Sequence, residues 1–296
     1  MRVPCQSSWI FPPRCEGLFV QRPEVQACVI DRVGFVRELA TRAQAQGASY
    51  LLKRRVVHLR RSSTGVLAAV RYRSALEEYE AKAVIVATGF ASSVGRNLGL
   101  EPPRKVAFAA QTTLIDVVAD DLQVYAGRWG PQGFFGWLIP TTGGNALVGV
   151  LGRGRPVKPL QALITGIQAD GVRIGSIGRR RAWGVPLRPT TTSVSDRCIL
   201  IGDAAGQVKP TSGGGILYAL RCAEIGAAVI SQCLKNDDLS RKALFSYEQQ
   251  WRNELGRELR LGYLARLAYE RMAPRELDLI FRIAFSSGIL DGDISF

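Results

Sequence analysis

The chain has few of the residues that enzymes most often use for acid–base and metal chemistry. Among its 296 residues there is one histidine, His58, set among valines, leucines and arginines in a stretch that reads as a strand. A histidine-based triad or a multi-histidine metal site is therefore not expected. The six cysteines, at 5, 15, 28, 198, 222 and 233, show no CxxC or other ligand spacing, so no metal is expected either. Cys198, Cys222 and Cys233 fall on apolar strand or helix positions, where cysteine packs as a small hydrophobe. No uninterrupted apolar run approaches the roughly 20 residues of a membrane span, and Met1-Arg2 is followed by prolines in place of a signal peptide's apolar core. A cytoplasmic protein, at most resting on a membrane surface, is the expectation. Acidic residues are also scarce, 25 against 39 basic, for a net charge of +14. Basic runs such as Lys53-Arg54-Arg55 and Arg179-Arg180-Arg181 suit a solvated surface or anionic lipid headgroups. No zinc finger, helix-turn-helix or RNA-binding aromatic motif accompanies them, so nucleic acid is not an expected partner.

What is present is a globular composition, 47% hydrophobic and 22% charged, on a chain long enough for two lobes and a substantial core. Its most informative stretch is Cys198 to Gly226. A short apolar strand, Cys198 to Ile201, runs into Gly202-Asp203-Ala204-Ala205-Gly206. Pro210 follows, then Gly213-Gly214-Gly215-Ile216 and an apolar helix. Asp203 puts a carboxylate at the strand's end, the glycines let backbone approach backbone or ligand, and the helix N-terminus offers unpaired N–H groups and a positive dipole end. This strand–turn–helix is built to hold a nucleotide cofactor. Three adjacent glycines cost chain entropy that close approach would justify.

The segment resembles the second flavin-binding motif of FAD-dependent oxidoreductases with the p-hydroxybenzoate hydroxylase fold, and most closely the geranylgeranyl reductase family. By that resemblance FAD is the cofactor, held through Gly202, Asp203, Ala204, Gly206, Pro210, Gly213, Gly214, Gly215 and Ile216, with Asp203 on a ribityl or ribose hydroxyl. Cys28-Val-Ile-Asp31-Arg32 and the helical run after it resemble a further family segment, which adds Arg32 to the cofactor contacts. Asp31 suits the N-cap of that helix. Gly65 to Tyr72 and Glu78 to Ala87 read as strands that end in Ala83 to Gly89, similar to the family turn beneath the cofactor. Gly89 is carried over as a contact, with Thr88 standing where an acidic residue is usual.

Phe135-Gly136-Trp137-Leu138-Ile139-Pro140 resembles the family's pocket motif, so Phe135, Trp137, Ile139 and Pro140 are implied to line an isoprenoid chain. Flat aromatic walls suit a polyene. The same residues are nearly as close to a motif of flavin-dependent halogenases, and an ordinary sheet core remains open. Val3 to Ile10 is similar to a family stretch whose cysteine protonates the substrate double bond. Cys5 takes that place, or is an exposed thiol, with Gln6 and Ser7 where the family has glycines.

The resemblance implies an α/β (α+β) fold: a doubly wound FAD-binding domain lacking its first βα unit, an antiparallel substrate sheet and a helical C-terminal tail. The expected segments are 1–104, part of the FAD-binding domain; 105–190, the substrate sheet; 191–235, the return to the FAD-binding domain; and 236–296, helical. No GxGxxG opens the chain, so the usual pyrophosphate cradle is missing. Either the start lies upstream or the product binds FAD weakly. In the tail, Leu255, Leu259, Leu264 and Leu267 recur at near-helical spacing among arginines, as a helix that packs on the flavin domain or touches a membrane. The implied activity is reduction of double bonds in a polyprenyl (geranylgeranyl) lipid, by hydride from reduced FAD and a delivered proton, with NAD(P)H or ferredoxin as an external reductant. The alternatives are a flavin-dependent monooxygenase or halogenase, and an inactive remnant that only binds.

Overall fold

A computed structural model describes residues 2–25, 27–90 and 93–287. They form two compact units of discontinuous chain. The first is Met1–Tyr50, Ala107–Trp183 and Leu267–Phe296; the second is Leu51–Val106 and Gly184–Arg266. In chain order, the first stretch holds β1 (Arg2–Cys5), β2 (Ser7–Phe11), β3 (Leu18–Gln21), β4 (Ala27–Ile30) and α1 (Arg32–Ala45). The next holds β5 (Arg54–Arg61), β6 (Val66–Tyr72), β7 (Ala75–Ala81) and β8 (Val84–Val86). Then come β9 (Val106–Val117), β10 (Leu122–Ala126), β11 (Phe135–Pro140), β12 (Ala146–Gly152), α2 (Val157–Ala169), β13 (Ile174–Ile177) and β14 (Arg181–Pro186). Last are β15 (Val194–Ser195), β16 (Cys198–Leu200), α3 (Ile216–Lys235), α4 (Arg241–Arg271) and α5 (Pro274–Ser286).

The first unit is organised by a sheet of order β13-β9-β12-β11-β10-β2-β3, antiparallel except where β2 lies parallel to β10, with β14 also paired to β9. Alternation along its strands produces two unlike faces. Leu114, Leu138, Val148 and Val150 are buried in one cluster with Leu160, Leu163, Ile164 and Ile167 of α2. Gly136 sits where an added Cβ would lie 2.6 Å from Leu163, so a side chain there would push α2 off the sheet. β1 and β4 make a separate antiparallel pair. α1 starts where the sequence indicates: the Asp31 carboxylate accepts from the Val33 and Gly34 N–H groups at 3.0 and 3.1 Å.

The second unit contains two three-stranded sheets, β5-β6-β7 and β15-β16-β8. The expected single strand from Glu78 to Ala87 is two strands. Pairing of β7 with β6 ends at Ala81 opposite Val66, and the chain then turns into β8, which joins β16 in the other sheet. β8 and β16 run parallel, with Val84, Ile85 and Val86 opposite Cys198, Ile199 and Leu200. α3 and α4 cover this sheet, burying Ile199, Cys222, Tyr247, Trp251, Leu255 and Leu259 in one cluster. Of the leucines expected to form the face of α4, Leu255 and Leu259 therefore pack in the core, whereas Leu264 is 52% exposed. α3 is long and apolar enough to cross a membrane. It carries Arg221, bonded to Glu224 and to Glu254 of α4, and one side of it is core.

Candidate functional site

In the second unit the candidate cofactor residues gather at the C-terminal ends of two parallel strands, where open α/β sheets bind their ligands. β16 leads into Gly202-Asp203 and β8 leads toward Gly89. The two exits are tied together by a 3.1 Å bond from Ile201 N–H to the Val86 carbonyl. Gly89 has φ +73°, and an added Cβ there would meet nothing within 4 Å, so the backbone is open to a ligand.

The turn after β16 is tightly determined. Gly202 and Gly206 have φ +67° and +75°, and a Cβ on Gly206 would lie 2.4 Å from the Arg188 carbonyl oxygen. Ala205 and Gln207 N–H both donate to Gly202 O, at 2.9 and 3.1 Å, and Gly206 N–H donates to Asp203 O at 3.1 Å. The Gln207 side chain, fully buried, locks the turn to the core. Its Oε1 accepts from Gly202 N–H at 2.8 Å, and its Nε2 donates to the Tyr247 hydroxyl at 2.9 Å. That hydroxyl donates in turn to Leu200 O at 2.8 Å. Burial raises the Tyr247 pKa, which keeps the donor protonated.

Residues 209–214 close on themselves: Gly213 N–H donates to Lys209 O at 2.9 Å and Lys209 N–H to Gly214 O at 3.0 Å. Lys209 also pairs with Glu258 of α4 at 3.5 Å, and Pro210 packs beside Gly262. α3 then begins after Gly215 with no side-chain cap, and Ile216 and Leu217 in its first turn are exposed. A Cβ on Gly215 would crowd the Asp203 carboxylate at 3.2 Å. An uncapped, exposed helix start beside a half-exposed carboxylate fits the polar edge of a flavin ring and its ribityl hydroxyls. Gly202, Asp203, Ala204, Gly206, Pro210, Gly213, Gly214, Gly215 and Ile216 are thus brought together with Gly89. Arg32 lies in the first unit, exposed at the first position of α1.

Also in the first unit, Phe135, Trp137 and Ile139 share one half-buried face of β11, alternating with buried Gly136 and Leu138, and Pro140 ends the strand. The Phe135 and Trp137 rings are 5.8 Å apart. The Trp137 indole lies over Gly149 of β12, where a Cβ would fall 2.2 Å from its Cζ2, and its Nε1 donates to the Gln111 Oε1 of β9 at 3.2 Å. Cys5 ends β1, paired opposite Ala27. Burial first, then the neighbouring Cys28 and Asp121, raises its thiol pKa and holds the proton on sulfur. Gln111, Gly149, Gln207 and Tyr247 were not singled out by motif. Each acts through a contact made by the folded chain.

Strand ends that converge on an uncapped helix and a carboxylate form a site suited to a nucleotide cofactor. Residues 17–223 match the family model described as FAD binding domain. The chain is 29% identical over 278 residues to digeranylgeranylglycerophospholipid reductase 2 of Methanothermobacter thermautotrophicus, covering 90% of this chain and 71% of the relative. It is 30% identical to digeranylgeranylglycerophospholipid reductase 2 of Methanopyrus kandleri, covering 85% and 67%. In fold it resembles a geranylgeranyl bacteriochlorophyll reductase-like protein of Thermoplasma acidophilum, with TM-score 0.85 and 22% identity over 95% of this chain and 75% of that one. A flavin-dependent halogenase is matched at TM-score 0.69 and 18% identity, over 98% of this chain and 59% of that one. The chain belongs to the geranylgeranyl reductase family of FAD-dependent oxidoreductases.

Proposed function

We propose that the protein saturates carbon–carbon double bonds in the geranylgeranyl chains of a glycerophospholipid. The observation that carries this reading is the half-buried apolar face of Phe135, Trp137 and Ile139, set on a sheet whose other side is core. It offers flat walls to an isoprenoid chain, which buries area with little loss of side-chain freedom. The relatives' names point to the same lipid class.

When bound, FAD would supply the hydride chemistry, with NAD(P)H or ferredoxin as the proposed external reductant. Asp203 would hold a ribityl or ribose hydroxyl, and Gly89, Gly202, Gly206 and Gly213 would allow backbone approach beside the uncapped start of α3. Arg32 is proposed as a further cofactor contact. Cys5 keeps its proton at neutral pH, since its pKa is raised, and serves as the donor to the substrate carbon. The charge of +14 and the outward Leu279, Ile280 and Ile283 of α5, beside Arg275 and Arg282, support contact with an anionic membrane.

Anaerobic incubation with FAD, a chemical reductant and a digeranylgeranyl glycerophospholipid should give products heavier by two hydrogens per bond reduced, read by mass spectrometry. Product that forms only with oxygen would contradict the proposal and point to a monooxygenase or halogenase.

A further inference from the structure

The second unit contains a cavity of about 830 Å³ between the segment after Gly99, the segment 188–192 and one side of α4. Arg104, Lys105, Arg188 and Arg260 line it, and none of the four has a carboxylate partner among the described residues. Glu101 is the one carboxylate in the lining, and Arg96 pairs with it at 3.5 Å. The fifth cation, Arg252, is already used: its Nε bonds Glu248 at 2.8 Å and its Nη2 bonds the Thr190 and Thr191 carbonyls at 3.0 and 3.1 Å, fixing the wall. Arg188 lies 5.1 Å from the centre of the Tyr263 ring, so its guanidinium is placed over an apolar partner. Leu259 and Pro102 complete an apolar side.

Four like charges around one cavity repel one another until an anion enters, and arginine recognises phosphate oxygens two at a time. The volume is far larger than one phosphate needs and falls in the range of organic ligands, about 300–1,000 Å³. We propose that this cavity binds a phosphate ester whose organic part rests on the apolar wall. A lipid headgroup and a soluble nucleotide share that chemistry. The proposal stands apart from the reductase reading, because its readout is binding and not turnover.

Isothermal titration at low and moderate salt with dihexanoyl glycerophosphate, NADPH and inorganic phosphate tests it. One of the two organic phosphates should bind more tightly than inorganic phosphate and weaken with salt. Arg188→Gln and Arg260→Gln should each lower that affinity tenfold or more, while melting temperatures stay unchanged. Arg257→Gln, on the same helix but outside the cavity, should leave it alone. Which ligand binds identifies the source, lipid or nucleotide. Binding of inorganic phosphate alone, equal losses in Arg257→Gln, or affinities unmoved by both cavity variants would overturn the proposal.

Discussion

Replacing Tyr247 with phenylalanine removes one oxygen from the centre of the unit that carries the Gly202–Gly206 turn. The hydroxyl is fully buried and makes two bonds, accepting from Gln207 Nε2 at 2.9 Å and donating to Leu200 O at 2.8 Å. Its loss strands a buried amide donor and leaves a buried carbonyl with one bond fewer. At about 1–2 kcal/mol for each, the variant should lose about 2–4 kcal/mol of stability, or about 4–16 °C in melting temperature for a unit of this size. The effect should also reach the turn, because the freed amide is the same group that positions Oε1 on Gly202 N–H at 2.8 Å. Urea unfolding followed by circular dichroism measures the first effect. A double-mutant cycle with Gln207→Leu measures the second, with a coupling above about 0.5 kcal/mol expected for bonded neighbours. A loss below about 0.5 kcal/mol in Tyr247→Phe, or strict additivity in the cycle, would refute the view that this network sets the turn.

Cys198 and Cys222 are fully buried, and burial pushes each thiol up to about 12. The folded pKa exceeds the unfolded one, so their contribution is complete below pH 9 and declines as pH rises from there toward about 12. Each thiol should account for about 1.4 kcal/mol per pH unit within that window. The loss should be shallower in Cys222→Ala than in wild type by denaturant titration at several pH values. Gly149→Ala would drive a Cβ into the Trp137 indole and break its bond to Gln111. Shifted tryptophan emission and about a tenfold fall in lipid kcat/KM, about 1.4 kcal/mol, should appear with flavin affinity unchanged. Cys5→Ser should lower turnover by about 10²–10⁴-fold if the thiol delivers the proton, with flavin titration unaffected; wild-type turnover would remove Cys5 from the mechanism. Asp203→Asn should weaken FAD about tenfold or more, read by quenching of flavin fluorescence.

The strand, turn and helix of residues 198–235 could be read locally because each step has its own local cause. Apolar residues make β16, glycines supply the positive φ at 202, 206 and 213, and the apolar spacing of α3 places Cys222 and Cys233 in the core. Asp31 as an N-cap is equally local. The break between β7 and β8 was not legible, because Lys82 and Ala83 carry no strong turn signal and the break is set by which sheet each strand joins. α4 was only half legible: periodicity marks a helix face, but only the partner surface decides that Leu255 and Leu259 are buried while Leu264 is exposed. The Gln207–Tyr247 bond joins residues forty positions apart, and the cavity arginines come from three separate segments. Neither arrangement has a local sequence cause.

The proposed reaction passes reducing equivalents from flavin to an isoprenoid double bond. The direct measurement is single-turnover reoxidation of the reduced flavoprotein by a digeranylgeranyl glycerophospholipid, followed anaerobically through the return of oxidised flavin absorbance. The lipid should reoxidise the flavin at a rate that depends on lipid concentration and falls in Cys5→Ser and Gly149→Ala. Flavin that stays reduced with the lipid, yet is reoxidised once oxygen and a different substrate are admitted, would contradict it.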